Sequence, residues 1–283
     1  MLGFLTLALR VPVAGLVKAL AEKIVCAVSL GDDCGPPGLD DVYGEELAAL
    51  VREYAPGLIY ETGMSALPVD FRRCRATSCS DGEGAGERRR SREGEPVSAF
   101  VHVIDCRTGM GPPGGEDCSG SRDGNLYLQY FFYYPESHTL RSTLGSAGFH
   151  ADDWESFGVR IGSDGDADVR ASSHHGYNYE LGMANWGSDA AIGPLRDFTE
   201  AIGARPEGGW GPDTGWLFVS GGSHAGNAKG DPRRIGSWTT PENVNLIPLE
   251  PIAAADEQAG FEFAVDPPWR KDVWWDPEAT GTS

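Results

Sequence analysis

The chain has 283 residues, with 39 Gly, 19 Pro and 8 Trp, enough for one large β domain or two small ones and a poor fit to a helical bundle. Its formal net charge of −19 argues against a nucleic-acid partner, because phosphate binding needs a basic face. Residues 1–30 are interrupted by Arg10, Lys18, Glu22 and Lys23, so no charge-free run approaches the ~20 residues that cross a bilayer.

The apolar stretch at 2–9 lacks the positive flank of a secretory signal. A degenerate export signal, a membrane-proximal helix and a truncated gene start all stay open for this segment. Turn residues at 31–38 mark a linker, which divides the chain into an apolar N-terminal segment, 1–38, and a single domain, 39–283. Six cysteines, at 26, 34, 74, 79, 106 and 118, suit disulfides and an oxidising compartment. The simplest connectivity joins neighbours: Cys26–Cys34, Cys74–Cys79 and Cys106–Cys118. An extracellular or cell-envelope location follows from that reading.

Residues 44–55 read as a helix with a stripe of Leu47, Leu50, Val51 and Tyr54, stopped by Pro56-Gly57. A strand is expected at 97–104. Before it, 80–96 is low in apolar content and mixed in charge, and reads as a mobile loop. A Gly- and Asp-rich loop covers 105–125.

Residues 126–161 are the centre of the chain. Leu126–Tyr134 is aromatic or apolar except for Gln129, the pattern of a strand buried on both faces, with Pro135 ending it. A second strand runs from Asp152 to Ile161. Alternation puts Asp153, Glu155, Phe157, Val159 and Ile161 on one face. A buried carboxylate must be paired, hydrogen-bonded, protonated or metal-bound. His150 precedes Asp153 by three residues, behind a turn at Gly148. His150, Asp153 and Glu155 are therefore a candidate ligand set for a divalent cation, with calcium or magnesium favoured by two acids against one imidazole. Asp152 and Trp154 flank the set. A satisfied polar cap at the sandwich edge explains the same residues.

Downstream, 162–168 reads as a hairpin turn rather than a calcium loop, because the closing glutamate is missing. Strand 168–173 runs into His174-His175-Gly176. Strand 216–220 runs into a small-residue turn holding His224. Residues 244–250 read as an edge strand broken by Pro248, and a tail with Trp269, Trp274 and Trp275 should cover the sandwich or a neighbour. At least six strand signals separated by Gly, Pro and Asp turns predict a mostly β fold: an antiparallel β-sandwich with a short N-terminal helix and long loops.

His150-x-x-Asp153-Trp154-Glu155, after an aromatic strand ending in Tyr133-Tyr134-Pro135, resembles the central segment of Vps62-like domains. Tyr54-Ala55-Pro56, the His175-Gly176 turn and the Gly222-Ser223-His224-Ala225 turn resemble further segments of that family, in the same order. The necrosis- and ethylene-inducing toxin family is more distantly similar, through its Gly-His-Arg-His-Asp-Trp-Glu heptad. This chain has Asp152 where that heptad has its second histidine. The resemblance implies a β-sandwich and adds His175 and His224 to the pocket around His150.

Three function classes fit these residues: a secreted metal-binding module for a glycan, lipid or other envelope component; a metal-dependent hydrolase using the His/Asp/Glu cluster; and a structural surface domain without a cleft. No nucleophile elbow, phosphate loop or zinc-protease helix motif is present. The first class is favoured, with no nucleic-acid partner.

Overall fold

The aromatic run at 126–134 lies in the middle of a sheet. In a computed structural model of the chain, the described residues are 37–62, 64, 66–74, 96–107, 115–142, 145–173, 176–178, 207–230, 233 and 235–279. The elements in chain order are α1 (Leu39–Glu53), β1 (Gly57–Glu61), β2 (Ser98–Asp105), β3 (Leu126–Ser142), β4 (Gly145–Ile161), β5 (Ala167–Ser173), β6 (Gly176–Asn178), β7 (Gly211–Pro212), β8 (Trp216–Val219), β9 (Gly226–Asn227), β10 (Ile235–Thr239), β11 (Asn245–Pro248) and α2 (Glu250–Ala259). Short 3-10 turns lie between them. The described residues from Gly38 onward form one unit.

The described strands form two sheets. The larger is seven-stranded, in the order β11-β2-β3-β4-β5-β6, with β7 also pairing β5. The smaller is four-stranded, in the order β10-β1-β8-β9. Most ladders are antiparallel, but β1/β8 and β2/β11 are parallel. The predicted edge strand at 244–250 is β11, at the edge of the larger sheet.

Strand alternation builds two cores from β3. Leu126, Leu128, Tyr130, Phe132 and Tyr134 face the smaller sheet, packing with Leu58, Tyr60, Leu217 and Val219. Phe131 and Tyr133 face the other way, onto Phe71, Ile252, Trp269 and Trp274. Both faces of the larger sheet are thus covered, which is why β3 reads as a near-continuous apolar run. The Trp-rich tail is the outer cover: Trp269 and Trp274 are buried and Trp275 is exposed.

Three expectations are corrected. Pro135 does not end β3. The β3/β4 ladder skips the rung between Pro135 and Asp152 and resumes at Glu136↔Ala151, so the missing N–H costs one rung only. β4 accordingly begins at Gly145, not near Asp152. The N-terminal helix begins at Leu39, before the residue 44 expected, because Gly44 breaks it with φ 77° and a first turn precedes that break. α2 was not foreseen, although Glu250 and Pro251 in its first turn and left-handed Gly260 after it are ordinary helix signals.

Cys106 and Cys118 are joined as expected, and Cys74 is disulfide-bonded. Cys26, Cys34 and Cys79, like the 80–95 loop, lie outside the described residues.

Candidate functional site

Asp153 and Tyr134 are opposite one another in the β3/β4 ladder, and both are buried. The β8–β9 hairpin delivers His224 to them. Glu61, at the end of β1, accepts Gly221 N–H at 2.7 Å, and Ser220 N–H donates to Ala225 O at 3.0 Å, closing the turn. Within it His224 takes a left-handed backbone, φ 55°, which an ordinary side chain adopts only when its surroundings impose it. Gly226 lets the hairpin come close: a Cβ there would lie 2.7 Å from Leu217 and 3.1 Å from Ala171 of β5.

The result is a buried Asp–His pair. His224 donates Nδ1–H to Asp153 Oδ2 at 2.7 Å, and its ring stacks on Tyr134 with centroids 3.9 Å apart. His150 reaches the other carboxylate oxygen from outside, with Nε2 3.8 Å from Asp153 Oδ1. Such a pair fixes an imidazole tautomer, the arrangement a general base uses. Here the ring is 3 % exposed, so no substrate atom reaches it in this conformation.

Glu155 does not join this pair. The β4/β5 ladder stops at Phe157↔Ala171. Beyond it Ser172 Oγ is interposed between the strands, accepting Ser156 N–H at 2.5 Å and donating to Glu155 Oε2. Glu155 therefore lines a small cavity with Trp154, Ser156, Ser172, Tyr177 and Lys271. Burial, and then the nearby Asp153 charge, push its carboxyl well above the usual range; Ser172 and Lys271 oppose the shift. Burial lowers the Lys271 amine, against Glu155, Asp153 and Asp266.

The flanking residues have structural tasks. Asp152, also left-handed at φ 59°, accepts the Tyr133 hydroxyl at 2.7 Å and Ala264 N–H at 2.8 Å, tying β4 to the segment after α2. Trp154 packs edge-on against Phe71 and Trp269 in the outer core.

The expected convergence of His150, Asp153 and Glu155 is thus divided. Asp153 draws His150 and His224, while Glu155 turns to Ser172. Among the described residues, no group of three or more His, Cys, Asp or Glu is placed to hold a metal ion. His175 lies outside the described residues. Tyr134, Ser172 and Lys271 were missed as members of this neighbourhood. Each looks in sequence like ordinary core or surface, and only strand pairing and the fold of the tail bring them here.

A second surface lies on the smaller sheet. Its inward residues, Leu58, Tyr60, Leu217 and Val219, are buried, so alternation turns Ile59, Trp216 and Phe218 outward. Ile59 pairs with Phe218 on one side and Trp238 on the other. Two glycines let the rings lie on the backbone: a Cβ on Gly57 would stand 2.4 Å from the Trp216 ring, and one on Gly230 2.0 Å from Phe218. Trp216, Phe218 and Ile59 are half-buried, and Trp238 is 63 % exposed.

No family model and no curated protein matches the chain. Some solved structures do. A protein described as a toxin fold for microbial attack and plant defense is 13 % identical with a TM-score of 0.34, over 84 % of this chain and 99 % of that one. Necrosis and Ethylene inducing Protein 2, from the causal agent of cocoa's Witches Broom disease, is 14 % identical with a TM-score of 0.37, over 76 % and 91 %. NLPPya in complex with mannosamine is 17 % identical with a TM-score of 0.31, over 78 % and 91 %. These neighbours belong to the more distant of the two families the motifs resemble; the Vps62-like resemblance rests on its motifs alone. At this level of identity and superposition the likeness carries no inference about this chain's chemistry.

Proposed function

We propose that this chain is an extracellular or envelope-associated glycan-binding module whose recognition surface is the outer face of the four-stranded sheet. The carrying observation is the open apolar row of Trp216, Phe218, Ile59 and Trp238, held flat by Gly57 and Gly230. The larger sheet covers its outer face with α2 and the tail, whereas Trp238 stays 63 % exposed. A flat indole face suits the C–H face of a sugar ring, while the sugar hydroxyls keep their water. A net charge of −19 disfavours anionic polymers and anionic lipid, leaving neutral sugars as the fitting partner. The disulfide suits an oxidising compartment.

The hydrolase reading would need an accessible base. The Asp153–His224 pair is buried and engaged, which supports a structural role for it.

The test is retention on an array of neutral oligosaccharides, followed by calorimetry on the best binder. Trp238→Ala should weaken binding about tenfold, roughly 1.4 kcal/mol, with the melting temperature unchanged. A wild-type chain that retains no neutral glycan, or a Trp238→Ala variant that binds equally, removes this reading.

A further inference from the structure

Away from both surfaces, Tyr43 joins α1 to β2 and α2. Its hydroxyl lies 2.6 Å from Val101 O and also hydrogen-bonds Glu250 Oε2. A tyrosine has one hydroxyl proton, and a carbonyl oxygen has none. Two hydrogen bonds at this one hydroxyl need a second proton, and only Glu250 can bring it. With Glu250 protonated at Oε2, its O–H donates to Tyr43 Oη, and Tyr43 donates to Val101 O. Oε1 remains an acceptor, and Val103 N–H donates to it at 3.3 Å.

The remaining neighbours agree with that count. Gln129 donates Nε2–H to Val273 O at 3.0 Å, which turns its Oε1 toward His102. His102 Nδ1–H then donates to Gln129 Oε1 at 2.8 Å. The buried His102 ring stacks on Trp274 at 3.6 Å, and burial lowers its pKa to about 4. Neutral at Nε2, it brings no proton to Glu250 Oε1, 3.8 Å away. Burial raises the Glu250 carboxyl to about 7; Glu116 adds to the shift, and the hydrogen bonds from Tyr43 and Val103 oppose it. The titratable groups facing Glu250 are therefore Tyr43 of α1, His102 of β2 and Glu116 of the segment before β3, none of them a cation.

What this contact holds is a separable piece. Tyr43 ends the first turn of α1, and Gly44 follows with φ 77° and ψ 164°, outside the helical region. The first turn is otherwise held by buried Leu39 and by an exposed Asp40–Arg52 ion pair. Exposed pairs of this kind contribute little.

We propose that Tyr43 and Glu250 form a proton-operated latch that holds the first turn of α1 against β2 and releases it, about the Gly44 hinge, when Glu250 ionises. An ionised Glu250 takes the Tyr43 proton for itself and leaves Tyr43 Oη facing Val101 O with no proton between them. A carboxyl raised in the folded state stabilises it fully below about pH 4.5 and loses that effect as pH rises through about 7. The latch is closed in acid and open in alkali.

Hydrogen exchange of the full chain tests this, with protection of residues 39–43 corrected for the intrinsic rate at each pH. Wild-type protection should fall between about pH 4.5 and about 7, by up to about tenfold per pH unit for a one-proton step, and level off above that. Glu250→Gln has nearly the same shape and cannot ionise, so its protection should be independent of pH. Tyr43→Phe should lower protection at acid pH. The carboxyl carbon shift of Glu250 in the wild-type chain gives a reading that needs no variant. A midpoint near the ordinary glutamate value, or the same pH dependence in Glu250→Gln as in wild type, overturns the latch.

Discussion

His224 and Asp153, 71 residues apart, meet through Nδ1–H and Oδ2 at 2.7 Å, with Tyr134 stacked on the imidazole. The pair joins the smaller sheet's hairpin to the larger sheet's longest ladder. A left-handed backbone at a non-glycine residue costs on the order of 1–3 kcal/mol, so His224 is held in place by what it touches.

Asp153→Asn keeps the shape and removes the charge. It should destabilise the fold by about 1.5–3 kcal/mol, the range for a hydrogen bond to an ionised group. Thermal melts with chelator and with added calcium should show the same loss, because the partner is His224. A loss seen only with metal present would return the cation to Asp153 by ligand linkage.

Gly57→Ala drives a methyl group into the Trp216 ring, 2.4 Å from its nearest atom. Overpacking of this kind costs about 1–3 kcal/mol. Urea denaturation should show the loss, and glycan retention should fall with it, since the displaced indole no longer lies flat. Full retention in a destabilised Gly57→Ala chain would separate the fold from the proposed surface.

Arg170 is fully buried and donates to Gly208 O at 3.2 Å and Ala279 O at 3.2 Å, and also to Pro277 O. Its guanidinium lies over Tyr177 and Trp210. Lysine cannot reproduce this planar fork. Arg170→Lys should free the segment around 277–279, read as faster proteolytic trimming of the C-terminus. Trimming at the wild-type rate would show that the tail is held by its tryptophans alone.

Cys106→Ala with Cys118→Ala removes a bridge across a sequence separation of 12. Loop-closure entropy assigns about 2–4 kcal/mol to such a bridge. Chemical denaturation of the double variant should show a loss in that range. An unchanged midpoint would mean that the tail, through the hydrogen bond that Arg122 Nε–H donates to Asp276 Oδ1 at 2.6 Å, already orders this loop.

The sequence alone determined the β class, the two-faced burial of β3, the hairpin at 162–168 and the Cys106–Cys118 pairing. Each follows from local chemistry: alternation, turn residues and short cysteine spacing. Alternation also put Asp153 and Glu155 together at a buried face, which is right for their burial. Their partners were a tertiary decision. The β4/β5 ladder ends one residue short of Ser156, so Ser172 takes Glu155 and the expected cluster divides. The His224 turn could be marked from its small residues, but its docking on Asp153 depends on the approach of β9 to β5. Tyr43 and Glu250 are 207 residues apart, and no local pattern joins them. A side chain's secondary structure is set by its near neighbours in sequence, whereas the partner of a buried polar atom is set by whichever strand end or helix start the fold brings within hydrogen-bond distance.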